Sequence, residues 1–105
     1  MLISGVPETW DQLSIEEQMG NIGSEVGRAL AAKRRGDEAR MMGALYRGVD
    51  LLNATVMVWL QRKSPRVQEI LTAREQFKEA ILTDKDDPKL EDYFMWFAFV
   101  ARSNR

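Results

Sequence analysis

The chain has 105 residues, 45% of them hydrophobic and 30% charged, with a net charge of −1. That balance points to one folded domain over 1–105 and argues against a disordered chain or one drawn by its overall field to nucleic acid or an anionic membrane. Histidine and cysteine are both absent, which removes imidazole bases, thiolate nucleophiles, disulfides and zinc sites built on those donors.

The opening stretch MLISGVPETWDQL has no basic n-region and no long apolar h-region, so no signal peptide is expected. The longest apolar run, residues 93–101, has nine residues, well short of the ~20 a spanning helix needs. A soluble protein without membrane association is expected, and the missing cysteines favour a cytoplasmic setting.

In chain order, Thr9 to Gln12 reads as a single helical turn that folds Trp10 and Leu13 onto the body of the protein. Ser14 and Glu17 then form a Ser-x-x-Glu capping box. Behind it Ile15, Met19, Ile22, Val26 and Ala29 recur at helical spacing, predicting a helix over 15–35. Lys33, Arg34 and Arg35 suit its C-terminal dipole, and Gly36 suits the position just beyond. Asp37 caps a second helix over 38–62, with Met42, Leu45, Val49, Leu52, Val56 and Trp59 as its core stripe. Ser64-Pro65 and Asp87-Pro88 both read as a cap followed by proline at the first helical position. They start helices over 65–82, presenting Val67, Ile70, Phe77 and Ile81, and over 88–103. The connections are short, which forces successive helices to be antiparallel neighbours. The expected fold is all-α: an up-down-up-down antiparallel four-helix bundle with a short N-terminal helical turn.

Two helices carry more apolar surface than such a bundle shelters. Only Asp50 is charged between Val49 and Leu60, with Leu51, Ala54 and Val58 off the core stripe, and the fourth helix reads YFMWFAFVA. A helix that is apolar all round is normally buried all round. The back of the first helix offers Gly20, Gly23, Gly27 and Ala31, and each interior glycine costs ~1 kcal/mol relative to alanine. Close approach of a neighbouring helix explains that cost. A homodimer is therefore expected, with Gly20, Gly23, Gly27, Ala31, Leu51, Val58 and Phe99 as its interface.

Folding the first hairpin about Gly36-Asp37 brings Glu25 level with Arg47. Arg74 interrupts the third stripe between Ile70 and Phe77, near the height of Asp50. Glu25, Arg47, Asp50 and Arg74 thus form a candidate mid-bundle cluster. It reads either as an ion-pair network fixing helix register or as a site for a small anionic ligand or nucleotide. The basic groups Lys33-Arg34-Arg35 with Arg40, and Arg62-Lys63 with Arg66, Arg102 and Arg105, fall at opposite ends of the bundle. Acidic residues accompany each group, so solvated, mutually compensating ends account for them without nucleic acid.

Asp50-Leu51-Leu52 in a small all-α chain resembles MazG-like nucleotide pyrophosphatases. That family holds magnesium with Glu-x-x-Glu on one helix and Glu-x-x-Asp on the next. The matching positions here are Glu25 with Arg28, and Arg47 with Asp50. A cation replaces one carboxylate on each helix and repels magnesium, so neither that hydrolase activity nor a bound metal is expected. A ferritin-like di-iron site and a HEPN-type ribonuclease motif both require histidine. More broadly, Trp10 to Ser14, Asn21 to Val26, Arg47 to Leu52, Tyr93-Phe94 and Phe97-Ala98 together resemble a family of small uncharacterised prokaryotic helical proteins with no assigned function. That resemblance covers 10–102 and implies a prokaryotic origin. The expectation is a non-enzymatic homodimeric interaction or regulatory module, without cofactor.

Overall fold

In the computed structural model, residues 6–103 are described. The first residues of the N-terminal stretch and Arg105 of the second basic group lie outside them. A short 3-10 turn, Trp10–Gln12, precedes four helices: α1 (Ile15–Arg35), α2 (Glu38–Gln61), α3 (Val67–Leu82) and α4 (Pro88–Ser103). No strand occurs among the described residues.

Local chemistry sets these boundaries. The Glu17 amide donates to the Ser14 hydroxyl at 3.1 Å while the Ser14 amide donates to Glu17 Oε1 at 3.0 Å, closing both halves of the capping box. At the other end of α1, Gly36 sits in the left-handed region with φ 74°. The Asp37 amide reaches back to Ala32 O at 2.9 Å and the Gly36 amide to Lys33 O at 3.1 Å. This pair of bonds satisfies carbonyls the helix end leaves free. The end of α2 repeats the device without glycine: Lys63 takes φ 54°, and Ser64 and Lys63 donate to Trp59 O and Leu60 O. Tying that turn back to α2 delays the next helix. α3 starts at Val67 and not at Pro65, with Arg66 as N-cap residue and the Arg66 amide bonded to Ser64 Oγ at 3.1 Å.

Every α1 position expected in the core is buried. On α2 the buried face is rotated from the expected stripe: Ala44, Leu45, Gly48, Leu52 and Thr55 are buried, whereas Met42, Val49, Val56 and Trp59 are half-buried around it. Small residues win that face because they let neighbouring helices come close. A Cβ on Gly48 would lie 2.6 Å from Phe77 Cε2 of α3. On α3, Ala73 fills the place between Ile70 and Phe77, so Arg74 does not interrupt the core stripe.

α1 packs along both α2 and α4, while α3 packs chiefly on α2. Contacts between α1 and α4 run in opposite directions: Gly20 faces Ala98, Gly23 faces Phe94 and Gly27 faces Glu91. One end is closed by a buried polar chain. Trp10 Nε1 donates to Thr55 Oγ1 at 2.9 Å, Thr55 donates on to Leu51 O, and Gln18 joins Trp10 O to the Trp59 indole. No buried side-chain nitrogen or oxygen among the described residues lacks a partner, as a low-dielectric interior demands.

Candidate functional site

Glu25 is 5% exposed, although it is charged and sits mid-helix. Its two carboxylate oxygens are divided between cations: Oε1 accepts from Arg28 Nη1 at 2.5 Å and Oε2 from Arg47 Nε at 2.6 Å. Gly48 makes that depth possible, since a Cβ there would approach Glu25 Cβ at 3.4 Å as well as the Phe77 ring. Both guanidinium groups extend outward and remain more than half exposed. Glu25 is thus an anchored carboxylate that aims two arginines at solvent.

The expected four-residue cluster divides. Glu25 and Arg47 come together, but Arg74 turns to Asn53 Oδ1 at 2.8 Å and to Glu75 at 3.0 Å. Asp50 is half-buried on α2 and joins neither group. Arg47 instead belongs to a different constellation. Arg28 and Arg35 on α1, with Arg40 and Arg47 on α2, line a groove of about 530 Å³ between the two helices. Its remaining lining is Ala31, Ala39 and Gly43, and Arg47 Nη1 lies over Gly43, 3.3 Å from where a Cβ would stand. Arg40 pairs with Asp37 at 3.4 Å. Arg28, Arg35 and Arg40 are residues the sequence reading left out of the site. The signal was available: Arg28 and Arg35 are seven residues apart on one helix, and Arg40 and Arg47 seven apart on the next, which is two helical turns in each case.

A second hollow, about 480 Å³, lies where the α3–α4 loop meets α1. There Lys33, Arg34 and Lys85 face Asp84, Asp86, Asp87 and Glu91, so opposite charges meet. Lys33 Nζ also donates to Ala80 O and Thr83 O at 2.6 Å each, closing the end of α3. At the opposite end Arg62 donates to Asp11 O and Arg66 pairs with Glu16. Among the described residues no three carboxylates converge as a metal-binding group.

The residues expected at an interface fall into three settings. Gly20 and Gly23 lie against α4 of the same chain, with a Cβ at 3.0 Å from Ala98 Cα and from Phe94 Cβ respectively; at Gly27 it would stop 3.6 Å from Glu91 Oε2. The close approach that glycines at 20 and 23 imply is therefore supplied by the chain's own fourth helix. Leu51 and Val58 are half-buried against the core, and Ala31 lines the arginine groove. Phe99 alone is widely open, at 62%, and two neighbours on its helix face match it: Met95 at 61% and Trp96 at 56%. A second apolar set, Tyr46, Met57 and Leu60, is exposed on α2, spread over a longer stretch of helix.

Between α3 and α4 the sequence reading missed one polar link. Tyr93 donates to Glu69 Oε2 at 2.7 Å, and the same oxygen accepts from Arg66 Nη2 at 3.0 Å. Burial disfavours the Glu69 carboxylate, but the bonds from Arg66 and Tyr93 outweigh it and hold its pKa below the ordinary glutamate range. Burial and then the bond to Glu69 push the Tyr93 phenol well above its usual value. No family model, curated protein or solved structure matches this chain.

Proposed function

We propose that the protein is a non-enzymatic, homodimeric interaction module of the prokaryotic cytoplasm, built as an up-down-up-down antiparallel bundle with its N-terminal helical turn closing one end. The topology is supported by the opposed run of contacts between α1 and α4 and by the short connections. The cytoplasmic setting rests on the cysteine-free composition.

The carrying observation is the outward stripe of α4: Met95, Trp96 and Phe99, each more than half exposed. Three large apolar side chains on one helix face form a patch of the kind that marks an interaction surface, and aromatic residues and methionine are enriched in interface cores. A second copy is the occupant the stripe fits best. Asp92 lies one turn before it and Arg102 about one turn after it, both exposed. Antiparallel pairing of α4 with its copy about a twofold axis near residue 97 sets Met95 against the partner's Phe99, and Asp92 against the partner's Arg102. Such an interface is self-complementary, as a twofold requires. It is narrower than the interface read from sequence, because Gly20 and Gly23 are already covered by α4.

Sedimentation equilibrium at micromolar concentration tests this reading. The wild type should sediment at twice the 12.1 kDa chain mass, and Phe99→Glu should sediment as the monomer with its helicity intact. A monomeric wild type overturns the proposal, as does a dimer indifferent to Phe99→Glu and Trp96→Glu together.

A further inference from the structure

Four arginines on one groove need a reason. Like charges on neighbouring helices repel; the buried Glu25 carboxylate accounts for cations at Arg28 and Arg47 but pairs with neither Arg35 nor Arg40. Within the groove the four positive charges meet two negative ones, Glu25 and Asp37, leaving an excess of two. Arg35 makes no ion pair among the described residues.

The arrangement is built, not scattered. Glu25 fixes Arg28 and Arg47 on opposite walls using one donor of each. A guanidinium has five N–H donors in a planar fork, so most stay available to an external anion. Arg35 and Arg40 flank the groove two turns further on, about 10 Å away at 1.5 Å per residue, beside the Gly36-Asp37 turn. Between the two arginine pairs the lining is flat and small, with alanine at 31 and 39 and glycine at 43. A volume of about 530 Å³ falls in the range of small-molecule sites.

We infer that this groove is a binding site for a phosphorylated small molecule of nucleotide size carrying at least two phosphoryl groups. Arg28 and Arg47 grip one anionic end and Arg35 and Arg40 the other, with the body of the ligand lying over Ala31 and Gly43. Arginine suits this task because its fork matches phosphate oxygens two at a time. Such a ligand brings more negative charge than the excess of two, since one phosphate ester alone carries about −1.5 to −2 at neutral pH, so the groove neutralises it in part. Glu25 acts as a positioning residue through the two guanidinium groups and does not itself touch the ligand. The site shares no residue with the α4 stripe, so it stands or falls independently of dimer formation.

Isothermal titration calorimetry with ATP and with inorganic triphosphate, in the absence of added metal, tests the assignment. Both probes should bind saturably with one site per chain, and more tightly than inorganic phosphate. Arg35→Gln with Arg40→Gln, both at exposed positions, should weaken both probes at least tenfold with the helical content intact. Lys63→Gln with Lys89→Gln makes the same change in net charge away from the groove and should leave both affinities within twofold. Three results overturn the inference: no saturable binding at millimolar probe, equal weakening by the two double variants, or tighter saturable binding of a single-stranded oligonucleotide than of either probe.

Discussion

At Gly20 and Gly27 one residue type serves two different purposes. A methyl group at Gly20 would stand 3.0 Å from the α4 backbone at Ala98, so the two helices would have to part by a few tenths of an ångström, whereas at Gly27 it would make ordinary contact with the end of the Glu91 side chain at 3.6 Å. Gly20→Ala should therefore destabilise the fold by about 1–3 kcal/mol through overpacking. Gly27→Ala should stabilise it by up to about 1 kcal/mol through helix propensity. Urea denaturation of the two variants decides the matter, and a Gly20→Ala protein as stable as wild type would refute the close α1–α4 contact. The spacing of glycines at 20, 23 and 27 announces that something approaches α1. It does not say what, because a partner helix of the same chain and one of another copy ask the same thing of a glycine.

At the scale of elements, caps were readable in advance and packing faces only in part. Ser14 with Glu17, Gly36 and Asp37 act on backbone groups within a few residues, so their effect is fixed locally. The face of α2 depends on what lies opposite, and there Ala44, Gly48 and Thr55 displaced larger residues that a hydrophobic count favours. Thr55 is buried only because the Trp10 indole and Leu51 O satisfy its hydroxyl, a pairing across 45 residues that no local pattern reveals. The same holds for the arginines. Arg74 falls at a plausible height but faces Asn53, whereas Arg28 was visible beside Glu25 and its partnership with Arg47 depended on which way α2 turns.

The Arg66–Glu69–Tyr93 link adds a polar tie between α3 and α4, whose buried side chains meet in the common core. Its pH response has two limbs. Glu69, with its pKa lowered by folding, contributes stability above the ordinary glutamate pKa of about 4.3, and that contribution is lost as the medium becomes more acidic. Tyr93, with its pKa raised, contributes stability that is complete below the ordinary tyrosine value of about 10 and fades as pH rises beyond it. Tyr93→Phe should cost about 1 kcal/mol at neutral pH. The gap to wild type should shrink on both sides, below about pH 4 and above about pH 10. A gap that stays constant across denaturation curves from acid to alkali would contradict this assignment.

For the molecule as a whole, the charge balance near zero conceals an uneven distribution: positive excess in the α1–α2 groove, and apolar surface along α4. If α4 pairs with its copy, folding and association share one free energy, and mass action makes apparent stability depend on protein concentration. The melting temperature of the wild type should rise when concentration is raised a hundredfold, while that of Phe99→Glu should stay fixed; parallel behaviour of the two would argue against pairing through this helix.

The three tryptophans occupy graded environments. Trp10 is sealed inside at the closed end, Trp59 is half-covered beside it with its ring 4.8 Å from the Arg62 guanidinium, and Trp96 stands in the open. The first two share Gln18 as a hydrogen-bonding partner, so any loosening of that glutamine alters both at once and leaves the third untouched. The chain thus carries its own pair of optical gauges, one for the integrity of its sealed end and one for whatever comes to rest on its outermost helix.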